Sequence, residues 1–135
     1  MKFTAFLLGL ATSVLAVSIS YDQAYDNTST SLAEVACSDG SNGLLTKGFT
    51  TLGSLPNFPS VGGAAAIPGW NSTECGSCWE LTFNGTTVTV LAVDHTEDGF
   101  NISEEAMNLL TGGQAVAVGR VDATVAQVNA SACGL

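Results

Sequence analysis

The chain has 135 residues, with 12 acidic side chains against three basic ones and a formal net charge of −9. Beyond Lys2 at the N-terminus the only cations are Lys47 and Arg120. Two scattered cations make no patch for a phosphate backbone, which excludes nucleic acid, and they offer nothing to an anionic bilayer. A neutral partner stays open, and the acidity itself favours solubility.

The N-terminus carries Lys2 and an apolar run from Ala5 to Leu15, broken by Gly9, Thr12 and Ser13. Val14-Leu15-Ala16 follows, with valine and alanine at the −3 and −1 positions of a cleavage site. This predicts a secretory signal peptide over residues 1–16 and one soluble mature domain over 17–135. The run is too short and too interrupted for a spanning helix, which needs about 20 apolar residues. Loss of Lys2 leaves two cations against 12 carboxylates, so the mature charge is −10.

Val17 to Tyr21 alternates apolar residues with serine, a strand signal. Asp26 to Ser31 reads as a polar loop. Ser31-Leu-Ala-Glu34 has the capping-box pattern and predicts a short helix over about 32–36. Residues 38–69 are rich in Gly and Ser and punctuated by Pro56, Pro59 and Pro68. Phe49, Leu52, Leu55, Phe58, Val61 and Ile67 still need burial, so this is packed irregular chain rather than a linker. Residues 78–83 and 87–93 are β-rich runs around Asn84-Gly85, a strong hairpin signal. Gly99-Phe-Asn101 breaks the pattern. Ser103 then caps a helix over about 104–111, with Glu104 and Glu105 at its positive end and Gly112 after it. Residues 116–121 and 124–128 predict two more short strands.

Cys37, Cys75, Cys78 and Cys133 form an even set in a small exported chain, which reads as two disulfides. Three pairings are open on spacing alone. Cys75-Gly-Ser-Cys78 runs into a strand, so no helix N-terminus lowers a thiol pKa and a redox motif is disfavoured. A zinc site would need all four thiols reduced. Asn27, Asn71, Asn84, Asn101 and Asn129 head Asn-x-Ser/Thr sequons, each a candidate surface glycosylation site.

Three constellations bear on chemistry. His95 is the sole histidine. Beside Asp94 on a strand end it points to the opposite face, so the two form no triad, and one histidine anchors no ordinary catalytic zinc. No cofactor is implied. Paired carboxylates could hydrolyse a glycosidic bond. Asp94 ends a buried-looking strand, with Asp22, Glu97 and Asp98 as candidate partners, but 12 carboxylates make some closeness inevitable. Aromatics could stack on sugars: Tyr21, Tyr25, Trp70, Trp79 and Phe100. Trp79 is expected near a disulfide, and Trp70, in a Pro-Gly-Trp-Asn loop, partly exposed.

Taken in order, these motifs resemble the fungal cerato-platanin family. The matching segments are Val17-Ser-Ile-Ser-Tyr-Asp22, Val35-Ala-Cys-Ser-Asp-Gly40, Asn42-Gly-Leu, Leu52-Gly53, Phe58-Pro59 and Val61-Gly-Gly63. Cys75-Gly-Ser-Cys-Trp79, Val93-Asp94, Gly99-Phe-Asn101 and Gly119-Arg-Val-Asp122 complete them, over about 17–133. The resemblance implies a mainly β fold with short helices, a six-stranded double-ψ β-barrel as in expansin and barwin-like domains. It implies the bridges Cys37–Cys75 and Cys78–Cys133, and secretion to the fungal wall and medium. It implies a non-enzymatic protein that binds chitin oligomers, loosens cellulose, self-assembles at air–water interfaces and elicits plant defence through a plant receptor. The implied carbohydrate groove falls on Tyr21, Asp22, Asp94, Phe100 and Asn101, and a sugar groove at Asn101 predicts that its sequon is empty. The acids of His95-Thr-Glu-Asp98 depart from the family pattern. The alternatives are an endoglycosidase acting through Asp94, and a surface-active structural wall protein. The chain is expected to be monomeric away from interfaces.

Overall fold

The computed structural model describes residues 16–135; the predicted signal segment, apart from Ala16, lies outside the described residues. Six strands close into a barrel: β1 (Ala16–Tyr21), β2 (Val61–Ala64), β3 (Cys78–Phe83), β4 (Thr86–His95), β5 (Phe100–Ile102) and β6 (Arg120–Val128). Around the barrel they run β1-β5-β2-β4-β3-β6. The β1–β5 and β2–β4 pairs are parallel and the others antiparallel. The expected six-stranded barrel is therefore present.

β4 is its backbone. Val90, Leu91, Ala92 and Val93 are all fully buried. β2 and β3 flank them, and a strand covered on both faces reads as a continuous apolar run rather than an alternation. The Asn84-Gly85 turn joins β3 to β4. Both residues have positive φ, 49° and 80°, as a two-residue type I′ turn requires. The helix α1 (Glu104–Thr111) starts at Ser103, whose hydroxyl accepts from the Ala106 amide, and stops at left-handed Gly112. Its inner face buries Ala106, Met107 and Leu110.

Three sequence expectations change. Gly99-Phe-Asn101 does not interrupt the sheet; Phe100–Ile102 is β5, paired to β1 and β2 on its two sides. Its three residues are too few to show a period, and both partners are remote in sequence. Residues 116–121 are not one strand. Ala115–Val118 forms the helical turn α2, with the Ala115 amide donating to Asn108 Oδ1. β6 then runs unbroken from Arg120 to Val128. The Asn108 side chain on α1 thus anchors a turn that contains two β-preferring valines. Finally, the helix expected over 32–36 is a three-residue 3₁₀ turn, Leu32–Glu34. It ends early because the next amides are used by the barrel: Ala36 N–H donates to Asp94 Oδ1 and Cys37 N–H to the Val93 carbonyl.

The segment between β1 and β2 is otherwise irregular and well packed. Leu32, Leu44 and Leu52 are fully buried there, while Phe49 and Phe58 are half-buried. The bridges are Cys37–Cys75 and Cys78–Cys133, the pairing the resemblance implied. The first ties the irregular segment to the turn before β3. The second ties the C-terminal 3₁₀ turn (Ala130–Cys133) to β3 itself. Loops of this size correspond to roughly 4 kcal/mol each in the chain-entropy view, as an upper figure.

Candidate functional site

Asp94 is the penultimate residue of β4 and half-buried. Three donors hold its carboxylate. Tyr25 O–H donates to Oδ2 at 2.8 Å, and the amides of Ala36 and His95 donate to Oδ1 at 2.9 Å each. An ionised carboxylate offers about four acceptor positions. Three are filled, so orientation is fixed and about one position stays open for a ligand hydroxyl.

Asp94 lines a pocket of about 220 Å³. Asp22, Ala24, Tyr25, Thr30, Glu34, Val35 and Leu52 line it as well. The volume falls below the roughly 300–1,000 Å³ of sites that enclose drug-sized ligands, so it admits only a small group. The lining carboxylates are Asp22, Glu34 and Asp94, with no cation, which disfavours an anionic ligand. Among the described residues no group of three or more His, Cys, Asp or Glu is placed to hold a metal ion.

Local sequence places Asp22 and Tyr25. Asp22 caps a 3₁₀ turn (Gln23–Asp26) by accepting from the Ala24 amide at 2.9 Å. That turn swings Tyr25 inward, leaving it 8% exposed. Burial, then the charge of Asp94 and the hydrogen bond to it, hold the Tyr25 phenol far above its ordinary range. Tyr25 therefore stays a proton donor to Asp94 at any ordinary pH.

His95 turns the other way. Its Nδ1 lies 2.6 Å from the Ile67 carbonyl; a carbonyl only accepts, so Nδ1 carries a proton. Its Nε2 lies 3.1 Å from Glu97 Oε2. The Glu97 hydrogen bond, then the Ile67 carbonyl, raise the imidazole above its ordinary value. The strand-end separation of Asp94 and His95 expected from sequence is what the side chains show.

Of the five residues placed in a groove by resemblance, only Asp22 and Asp94 line this pocket. Phe100 is 4% exposed and packs edge-on against Trp79, with ring centroids 5.4 Å apart; its ring is core and offers no stacking face. Asn101 sits in β5, paired to β1 and β2, and accepts from Ser20 Oγ at 2.9 Å. Tyr21 packs half-buried against the core. Ala24, Tyr25, Thr30, Glu34, Val35 and Leu52 complete the pocket and were not assigned to it from sequence. Tyr25 stood only among the candidate stacking aromatics. No local signal links position 25 to position 94, which the fold brings together across 69 residues.

Comparison with known proteins agrees with this architecture. The cerato-platanin family model matches residues 17–135. The chain belongs to the cerato-platanin family. It is 49% identical over 123 residues to allergen Asp f 15 of Aspergillus fumigatus, covering 91% of this chain and 80% of that one. Its fold superposes on the crystal structure of cerato-platanin 3 from M. perniciosa with a TM-score of 0.86, at 49% identity, over 90% of this chain and 100% of that one. It also superposes on the solution structure of the fungal elicitor cerato-platanin, with a TM-score of 0.79 and 44% identity, over 87% and 96% of the two chains.

Proposed function

We propose that the mature protein is a secreted, non-catalytic, carbohydrate-contacting elicitor-type protein that binds chitin or cellulose chains at the Asp94 pocket and loosens them without cleavage. The observation that carries this is the triply bonded Asp94 carboxylate in a small pocket. Such a group is a preset acceptor for a sugar hydroxyl. It competes with the hydrogen bonds that join one polysaccharide chain to the next, and no covalent step is needed. A glycosidase acid has to present a proton to the leaving oxygen. Asp94 instead accepts from all three of its protein partners, which disfavours it as the acid in the endoglycosidase alternative.

Softening of cellulose or chitin fibres, with reducing ends assayed in the same sample, tests this. The expected result is softening without reducing ends, lost in a folded Asp94→Ala variant. Unchanged softening in that variant removes the site; steady release of reducing ends abolished by Asp94→Asn installs the hydrolase.

The surface-active reading has one observation of its own. The apolar residues of 44–69, its support in the sequence, are largely core: Leu44, Leu52, Leu55, Val61 and Ile67 are buried. Leu109, Val116 and Val118, by contrast, are 56%, 71% and 44% exposed on α1 and α2. A fall in surface tension that is reversed by changing these three to serine is the result this reading requires.

A further inference from the structure

Trp70 lies outside the pocket and is 61% exposed, yet its ring is fixed. The indole N–H donates to Asp39 Oδ1 at 2.6 Å. The edge of the six-membered ring rests on Gly40, where an added Cβ would stand 3.0 Å from Trp70 Cζ2 and 2.6 Å from Asn71 Oδ1. Only glycine allows that approach. Asn71 clasps the same loop: its Oδ1 accepts from the Asn42 amide at 2.9 Å and its carbonyl from Asn42 Nδ2 at 3.0 Å. Thr46 Oγ1 closes the loop on the Gly40 carbonyl at 2.6 Å. The polar atom of the indole is satisfied and its edge is covered. Exposed ring area remains, held in one orientation before any ligand arrives, which lowers the ordering cost of binding.

We propose that Trp70 is a second carbohydrate subsite, an aromatic platform for the apolar face of a neutral pyranose, with the Asp39 carboxylate beside it accepting a sugar hydroxyl. The proposal rests on the reading that this protein contacts polysaccharide. The C–H groups of a pyranose face carry slight positive charge and meet the negative face of the indole. Neutrality follows from the charge: the mature chain is at −10 and Asp39 adjoins the ring, so a polyanionic saccharide is repelled. The platform also lies within reach of the pocket. Asp39 is three residues from Ala36, whose amide binds Asp94, and Trp70 is three residues from Ile67, whose carbonyl meets His95. Three residues of chain span at most about 11 Å, so Asp39 and Trp70 lie within that distance of residues that touch Asp94 and its neighbour His95.

The test is a ¹H–¹⁵N titration of the secreted protein with chitin tetramer and with cellotetraose, following the two indole N–H signals. Trp79 is the internal control, since its N–H donates to Ser77 Oγ and its ring meets Phe100. The expected result is a saturable shift of the Trp70 indole and the Gly40 amide with Trp79 unmoved. Affinity should fall roughly two- to tenfold in Trp70→Ala, and less in Trp70→Phe, which keeps an aromatic face. Shifts at Ala36 and His95 with a stationary Trp70 indole, and equal affinity in Trp70→Ala, overturn the platform and leave the pocket standing. No shift anywhere with either sugar overturns both.

Discussion

The barrel and the irregular segment between β1 and β2 achieve burial by different means. In the barrel, backbone ladders fix the residues, and β4 presents four consecutive fully buried side chains. In the irregular segment, short turns, a disulfide and scattered leucines do the same work. Leu44 and Leu52 are as completely buried as Val90 and Leu91, held by turn and loop hydrogen bonds instead of ladders. The pocket lies where the two meet. Asp94 belongs to the barrel, but Tyr25 and Ala36, which orient it, come from the other region. A rigid strand end therefore supplies the carboxylate, and docking of the loops supplies its setting. Damage to the irregular segment should abolish the site while leaving the barrel recognisable.

The largest combined effect on stability and binding is expected from the bridges. Changing Cys37 and Cys75 to serine should cost roughly 2–4 kcal/mol in denaturant unfolding and also abolish oligosaccharide binding. Changing Cys78 and Cys133 should cost a similar amount but spare the pocket in the protein that stays folded. Equal loss of binding in both pairs breaks the comparison. Leu52→Ala comes next: a fully buried leucine lining the pocket should cost about 2–5 kcal/mol by equilibrium unfolding.

The regular parts were legible where a local rule sufficed. Asn84-Gly85 named its hairpin, and Ser103 with Gly112 bounded α1. β2 and β5 were not legible. Val61–Ala64 contains two glycines and Phe100–Ile102 only three residues, and both are strands because of remote partners. The site divides in the same way. Asp94 stood out at the end of an apolar run. Tyr25 and Leu52 did not, because what places them is the packing of irregular chain against the barrel, which has no period to read. The resemblance supplied the bridges and the fold, yet it also put Phe100 among the groove residues, where the structure buries its ring.

Tyr25→Phe sharpens the comparison at a single atom. Loss of its hydroxyl removes one of three donors to Asp94 and should cost about 1–2 kcal/mol, with weaker sugar binding and an intact barrel by amide spectra. The phenol also predicts a pH dependence. Its folded pKa lies above the unfolded value of about 10, so the unfolded chain releases its proton first. Stability from this group is complete below about pH 10 and is lost as pH rises beyond it. Ultraviolet titration should show Tyr25 ionising only as the fold opens. Ionisation of Tyr25 without unfolding contradicts its burial.

The smallest effect belongs to His95, whose imidazole is raised by Glu97 and the Ile67 carbonyl. Its stabilising contribution is complete below about pH 6.5 and is lost as pH rises through the folded value. Melting curves at pH 5 and pH 8 should therefore differ slightly more for the wild-type protein than for His95→Gln. An identical difference in both proteins means the contact contributes nothing.

Binding of sugar at Asp94 without cleavage is tested by a titration with chitin tetramer that follows the Ala36 and His95 amides together with the anomeric protons of the sugar. Both amides donate to Asp94 Oδ1, so they report on that carboxylate alone among the twelve. Both should shift with one common affinity while the anomeric signals stay those of intact tetramer. Stationary amides, or new reducing-end signals growing with time, would contradict binding without cleavage.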